Sequence, residues 1–276
     1  MKYYYLIASL PDIQLEDPKG VPSMENLKND LEEQLSEEDV KLLHLVYAKY
    51  DNRNLLFYLQ DKNAALNPLG LLQADDWQEL ISLMGEVEHP NDARLQPYIH
   101  RYYQAYTDEN FSFDGISKED YLSGLYYEYA MQNKNKFLHD WFEFNLNINN
   151  LLAALACRKH GFDPHLFIVG DNEVAQLLRK SNSRDFGLVG VFDEYEAVLK
   201  IAEEANLMNR EKQIDELKWK WLEEHTFFHY FSIERVLAFV LKCELVNRWK
   251  PLSQEKGQKI FRDLLDTLKD DIVFAE

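Results

Sequence analysis

The sequence predicts an all-α protein, and three observations lead to that prediction. Glycine and proline number only 10 and 8 in 276 residues, below their average usage of about 7% and 5%. Apolar residues recur at helical spacing in several long segments, whereas strand-like alternation of any length is absent outside two short stretches. Serine, aspartate or asparagine stands just before many of the helical segments, in the position that a helix N-cap takes.

The first half of the chain predicts five helices after an irregular start. Residues 1–10 are apolar and aromatic, and they form either a strand or a buried helix. Three prolines and a glycine make residues 11–22 a loop. The predicted helices span residues 23–34, 36–60, 75–84, 94–106 and 118–132, with Ser36, Asp75 and Ser117 as N-terminal caps.

The second half contains the clearest helix, which spans residues 137–160. Its apolar residues lie within about a third of the helical circumference, and Gly161 marks its end. Residues 164–169 form the second short stretch for which a strand is a possible structure. A short helix begins at Asp171 or Asn172 and ends near residue 180. The further predicted helices span residues 193–205, 208–230, 233–249 and 254–270. The helix over 233–249 is apolar around much of its circumference, so we expect it to be central and buried.

Composition narrows the class of protein. Hydrophobic residues make up 46% of the chain, which is enough to build a core. The formal net charge of −18 disfavours a nucleic-acid partner, which would need clustered lysine and arginine, and docking on anionic lipid by charge alone. Cys157 and Cys243 lie in apolar helical contexts, which fits buried thiols in a reducing cytoplasm, and a single disulfide stays open. No run approaches about 18 apolar residues, so we expect a soluble or peripheral protein.

Polar pairs interrupt three of the apolar helices at regular intervals. The pairs share an i, i+3 spacing, which places both side chains on one helix face. They are Asp51 and Asn54, Asn147 and Asn150, and Glu244 and Asn247. The asparagines at 54, 150 and 247 are 96 and 97 residues apart. This even spacing predicts three related units, roughly 1–90, 91–190 and 191–276.

Each pair has apolar neighbours, and a buried amide or carboxylate must find a partner. Arg248 is one turn beyond Glu244 and is the expected partner of that carboxylate. We therefore interpret the pairs and Arg248 as structural clasps that hold each helix against adjoining chain. A catalytic site made from these residues is the less favoured interpretation, and we assign no catalytic residue.

The stretches YDNRNLLFYL at 50–59 and AFVLKCELVNRW at 238–249 resemble repeated helices of the C-type subunit of V/A-type ATP synthases, which is the d-type subunit of eukaryotic V-ATPases. In that family an acidic residue, two residues of any kind and Asn-Leu or Asn-Ile recur in three similar helical lobes that form a funnel. Asn147 and Arg248 depart from this pattern, and residues 251–276 extend beyond its expected end. The chain therefore resembles a divergent, Bacteroidetes-like bacterial branch.

The resemblance implies a mechanical function without chemistry. It implies a cytoplasmic subunit, peripheral on the inner membrane, that couples the central stalk subunits to the membrane rotor ring in proton or sodium transport. It implies no cofactor and no small-molecule substrate.

Two other functions stay open. A generic helical adaptor would share the fold and differ only in its partners. A helical metal-binding protein or enzyme is the second, because His225 and His229 stand four residues apart in a predicted helix, a spacing that can hold zinc. No third ligand accompanies them at a fixed spacing, and no Walker A, dinucleotide-binding or nucleophile-elbow motif is present.

The tyrosine clusters at 3–5, 102–103 and 126–127 indicate either core edges or partner-facing anchors.

Overall fold

The computed structural model describes residues 2–250, and this part of the chain is all-helical, which confirms the predicted class. Its helices are α1 (Tyr4–Ser9), α2 (Met24–Gln34), α3 (Glu37–Gln60), α4 (Ala74–Glu86), α5 (Pro97–Thr107), α6 (Lys118–Met131), α7 (Lys136–His160), α8 (Glu173–Lys180), α9 (Tyr195–Ala202), α10 (Leu207–Thr226) and α11 (Ile233–Asn247), with a 3-10 helix at Pro164–Leu166. Residues 2–250 contain no strand. Both stretches left open as strands are therefore at least partly helical.

Most predicted helix ends agree with the structure because the capping residues act locally. Ser23 Oγ accepts a hydrogen bond from Asn26 N at 3.2 Å and begins α2. Gly161 ends α7 in the left-handed conformation, with φ 75°, which glycine adopts without steric cost.

Two predicted helix ends were wrong. Helix α4 begins at Ala74 with Gln73, not Asp75, at the N-cap. Asp76, in the first turn, accepts a hydrogen bond from Gln73 N at 2.9 Å through its Oδ2, as the acidic member of a capping box does. Helix α10 ends at Thr226 and not near 230, since His229 N donates to Thr226 O, three residues back, and the chain enters a turn. The helix predicted over 254–270 lies outside the described residues.

The chain divides into two compact units. The first combines Met1–Ser36 with Asp215–Glu276, and the second consists of Glu37–Ile214. The three-unit division that the asparagine spacing predicts stays a prediction.

In the second unit, α7 is the central helix and contacts α6, α8 and α9. Leu138, Ile148 and Leu151 on α7 have no exposed surface. In the first unit, α11 contacts α2, and Val236 and Leu237 are fully buried. The prediction that the helix over 233–249 is buried is confirmed for most of its length: ten residues of α11 are buried, whereas Arg235 is exposed.

Cys157 and Cys243 are free, buried thiols, so the disulfide left open by the sequence is not formed. Burial raises the pKa of Cys243 to about 12, which keeps this thiol protonated at neutral pH.

Within residues 2–250, none of the helices has the length and hydropathy to cross a bilayer.

Candidate functional site

The first polar pair, on α3, clasps the loop that leads into α4. Asn54 is completely buried. Its Nδ2 donates to Asn67 O at 3.0 Å, and its Oδ1 accepts from Asn67 N at 2.7 Å. One amide side chain thus satisfies both backbone groups of one loop residue, as a neighbouring strand would. The arrangement removes the cost of burying the amide and fixes the position of the loop.

Asp51 extends this clasp along the same loop. Its Oδ1 accepts from Leu71 N at 2.9 Å and from Leu72 N at 3.1 Å. Two backbone N–H groups stabilise the charged form of a carboxylate that is only 5% exposed. Gly70 makes the close approach possible, because a Cβ atom there would lie 2.4 Å from Asn54 Nδ2 and 2.9 Å from Asp51 Oδ1.

The second pair, on α7, repeats this geometry. Asn150 is 1% exposed. Its Nδ2 donates to Val169 O at 2.7 Å, and its Oδ1 accepts from Val169 N at 2.9 Å. Val169 lies in the loop that leads into α8. Asn54 and Asn150 therefore make the same two-way hydrogen-bonded pairing with a loop residue downstream.

Asn147 supports the second clasp through a side chain instead of the backbone. Its Oδ1 accepts from Asn172 Nδ2 at 2.8 Å. Asn172 is the N-cap of α8, and its Oδ1 accepts from Ala175 N at 3.1 Å. An amide at 147 receives a hydrogen bond from a neutral cap, whereas the carboxylate at 51 receives backbone N–H groups. Asn147 thus performs a clasp role without an acidic group.

The third pair, on α11, clasps a loop that comes earlier in the chain. Asn247 Nδ2 donates to Pro22 O at 3.0 Å, just before the Ser23 cap of α2. Proline has no N–H group, so the two-way pairing of the first two clasps is impossible here. Asn247 Nδ2 also donates to Cys243 O at 2.8 Å, one turn back on α11. Lys250 Nζ adds a hydrogen bond to Val21 O at 2.9 Å.

Arg248 has an ion-pair partner that the sequence did not suggest. Its Nε lies 3.2 Å from Asp215 Oδ2, and Trp249 Nε1 donates to the same oxygen at 2.7 Å. Asp215 has no exposed surface, so the arginine and the indole stabilise its buried charge. We expected Glu244 as the partner of Arg248, and the structure places the Arg248 guanidinium against the Asp215 carboxylate. The pairing with Glu244 stays a prediction. Nothing in the charged stretch around Asp215 distinguishes it from a solvated residue.

Lys242 joins α11 to the C-terminal part of α10. Its Nζ lies 3.1 Å from Glu223 Oε1 and 4.3 Å from the ring centroid of Trp219. Burial lowers the pKa of Lys242, and the hydrogen bond to Glu223 opposes that effect. The contact supports the helix that carries the third clasp.

The three clasps have one feature in common. In each, an asparagine amide on a buried helix donates to a backbone carbonyl in the loop before another helix: Asn67 before α4, Val169 before α8 and Pro22 before α2. The sequence identified the helical residues of each clasp. It missed the loop residues and Gly70, because their positions depend on how the chain returns to the helix.

The two histidines of the metal alternative do not form a helical pair. His229 lies beyond the end of α10, and its Nδ1 is 3.1 Å from Ser232 Oγ and 3.4 Å from Glu234 Oε2. His225 stacks on Trp221, with ring centroids 3.7 Å apart. Within residues 2–250, no group of three or more His, Cys, Asp or Glu residues could hold a metal ion. The i, i+4 argument for zinc was therefore wrong.

The tyrosine clusters divide between core and surface. Tyr3, Tyr102 and Tyr126 are buried, whereas Tyr4 and Tyr5 are exposed. Tyr126 OH donates to Leu45 O at 2.8 Å, which ties α6 to α3. Each cluster thus contributes one tyrosine to the core, and the exposed pair lies near the N-terminus.

Comparison with known proteins gives one match. A family model described as "Protein of unknown function (DUF2764)" matches residues 1–272. Neither the curated proteins nor the solved structures include a significant match to the chain.

Proposed function

This chain belongs to the family described as protein of unknown function (DUF2764), and we propose that it is a non-catalytic rotor subunit of a V/A-type ATP synthase. In this role it couples the central stalk to the membrane rotor ring. It works on the cytoplasmic side, peripheral to the inner membrane, in proton or sodium transport. Its partners are the stalk subunits and the ring.

The observation that carries the proposal is the repetition of the clasp. The asparagines at 54, 150 and 247 are nearly equally spaced, and each fastens the loop before a helix. The resemblance to the C-type subunit of these synthases rests on the same three positions. A shared physical role for all three makes chance recurrence of a short pattern a poorer explanation of their spacing.

The geometry also suits a part that transmits torque. A loop between two helices is ordinarily the most easily deformed part of a helical protein. Here hydrogen bonds from asparagine amides hold three such loops. Water cannot compete for the Asn54 and Asn150 amides, because these side chains are at most 1% exposed. Such loops resist displacement when a load is applied to the helices.

A tagged copy of the chain, expressed in its own cells, tests the partners. We expect the stalk subunits and the rotor ring to copurify with it in fixed proportion. Deleting the gene should leave ATP hydrolysis by the soluble part of the complex intact and abolish ATP-driven ion transport in membrane vesicles. Expression of the wild-type chain should restore transport.

Two results would overturn the proposal. The first is an ATP synthase, purified through a stalk subunit, that lacks the chain. The second is unchanged ion transport after deletion. Stable copurification with unrelated proteins would instead favour the generic helical adaptor.

A further inference from the structure

Six aromatic side chains project from one region of the first unit, and we call this region the aromatic surface. Its members are Tyr4, Tyr5, Phe227, Phe228, Tyr230 and Phe231, and all six are exposed. The exposed fraction reaches 93% for Tyr5 and 80% for Phe228. Large apolar groups at such exposure, gathered in one place, mark an interaction site more often than chance.

Backbone and ring contacts hold the two segments of the surface together. Tyr3 N donates to Phe231 O at 2.7 Å, and the rings of Tyr4 and Phe231 lie 4.5 Å apart. Phe227 and Phe228 pack edge to face with centroids 4.9 Å apart. The start of α1 and the loop between α10 and α11 therefore present their aromatic rings as one surface.

The aromatic surface carries little charge in a strongly acidic chain. The segments 3–10 and 226–233 contain no Asp, Glu, Lys or Arg, although the chain carries a net charge of −18. At its margin, Lys2 Nζ lies 5.9 Å from the centroid of the Tyr4 ring, and Glu234 Oε2 lies 3.4 Å from His229 Nδ1. A basic protein partner or a nucleic acid would find no cluster of opposite charge on these segments. Its complement is an apolar, uncharged partner.

We propose that the aromatic surface docks on the interfacial region of a zwitterionic lipid bilayer. Tyrosine suits this region because its ring is apolar and its hydroxyl reaches water. Phenylalanine at the tip of the loop enters the acyl boundary, and apolar burial supplies the binding free energy. Without clustered lysine or arginine on this surface, anionic lipid adds nothing to the affinity.

The shape of the surface favours lipid over a protein partner. Protein hot spots are centred on well-packed pockets and are enriched in Trp, Tyr and Arg, whereas here a loop and a six-residue helix project side chains outward. A fluid bilayer needs no matching pocket for such projections. The inference does not depend on the coupling function, because it uses only this surface.

Binding of the full chain to sedimented phosphatidylcholine vesicles tests the inference. We expect binding that is unchanged between low and physiological salt. Vesicles in which phosphatidylglycerol replaces part of the phosphatidylcholine should bind no better, because the chain is acidic. The double variant Phe227→Ser, Phe228→Ser should weaken binding about tenfold or more, from the apolar area that it removes.

Phe162 and Phe167 provide a matched control in the second unit. They are exposed by 58% and 44%, and their rings lie 5.9 Å apart. The double variant Phe162→Ser, Phe167→Ser removes the same atoms elsewhere and should leave vesicle binding unchanged. Circular dichroism of both double variants checks that the fold is retained, which we expect because the four side chains are exposed.

Three results would overturn the inference. They are failure of the wild-type chain to sediment with phosphatidylcholine vesicles, equal binding by the Phe227, Phe228 variant, and equal loss in the control variant. Self-association of the wild-type chain that the Phe227, Phe228 variant abolishes, without vesicle binding, would assign the surface to a second copy. A coupling subunit that binds no vesicle would leave the proposed rotor function standing and remove only this inference.

Discussion

At the scale of single residues, the clasps explain why amides interrupt apolar helices. An unpaired buried amide costs free energy, whereas a satisfied one fixes its partner in place. Asn54 and Asn150 satisfy both polar groups of one loop residue. Asn247 differs because its loop partner, Pro22, has only a carbonyl to offer.

Replacing Asn150 with leucine should destabilise the protein by about 1–3 kcal/mol, because both backbone groups of Val169 lose their partner. Neighbouring Asn149 is exposed, and its Nδ2 makes a long, exposed hydrogen bond of 3.5 Å to Tyr127 Oη. Asn149→Leu should therefore change the free energy of unfolding by no more than about 0.5 kcal/mol. Urea unfolding of the two variants measures the difference. Equal effects would mean that the buried hydrogen bonds contribute nothing.

Replacing Gly70 and Gly85 with alanine should have opposite effects on stability. Gly70→Ala places a Cβ atom 2.4 Å from Asn54 Nδ2 and 2.9 Å from Asp51 Oδ1, so it should destabilise by about 1–3 kcal/mol. At Gly85, in the last turn of α4, the nearest contact of an added Cβ is Tyr103 Oη at 3.5 Å. Gly85→Ala should therefore stabilise by about 0.5–1 kcal/mol. Thermal melts of both variants give the signs, and a stable Gly70→Ala protein would contradict the close approach.

Asp76 should make the free energy of unfolding depend on pH. The hydrogen bond from Gln73 N, followed by the contacts with Arg94, lowers the pKa of Asp76 below its ordinary value of 3.8. The ionised carboxylate thus contributes stability that is fully present above pH 3.8 and is lost as the pH falls through the lower, folded-state pKa. The wild-type advantage over Asp76→Asn should shrink in that range. Urea unfolding across pH measures it.

Asp75→Asn is the control, because it removes the same charge from an exposed position one residue earlier. Its difference from the wild type should change less with pH than that of Asp76→Asn. Equal pH dependence of the two variants would contradict a special role for the α4 cap.

At the scale of elements, the same arrangement recurs three times. A buried helix binds a loop through its asparagine, and another helix begins directly after that loop. Helices α3 and α7 hold loops that come 13 and 19 residues later. Helix α11 holds a loop 225 residues earlier in the chain, so the helix after the third clasp is α2. The third clasp therefore fastens the N-terminal segment to the helix that is last among residues 2–250.

Asn247→Leu should loosen α2 selectively. Loss of about 1–2 kcal/mol of local stability would speed amide exchange about 5–30-fold. Hydrogen exchange should therefore accelerate in α2 and stay unchanged in α4, which belongs to the other unit. Asn54→Leu should show the reverse pattern. Equal acceleration in both helices, or in neither, would contradict a local clasp.

At the scale of the whole molecule, the dominant electrostatic property is the net charge of −18. Like charges repel more strongly in the compact state than in the unfolded chain, and salt screens that repulsion. The melting temperature at pH 7 should therefore rise with sodium chloride, by about 2–4 °C for each kcal/mol gained. Near the isoelectric point of about 4.9 the same salt series should have little effect. An equal salt effect at both pH values would contradict this account.

The sequence by itself determined the helical class, most helix ends and the helical half of each clasp. These depend on local chemistry: few helix breakers, caps such as Ser23, and periodic apolar residues that surround Asn54 and Asn150. A buried amide in such a helix must find a partner, and this requirement can be read from the helix alone.

Only the tertiary structure decided which backbone each amide binds. Asn67, Val169 and Pro22 come within reach of their asparagines because of how the chain returns to the helix, and local propensity does not encode that return. For the same reason, the sequence alone did not predict the buried ion pair of Asp215 with Arg248 or the need for glycine at position 70. Contacts between residues far apart in the chain are fixed by packing, since only the folded chain brings their atoms together.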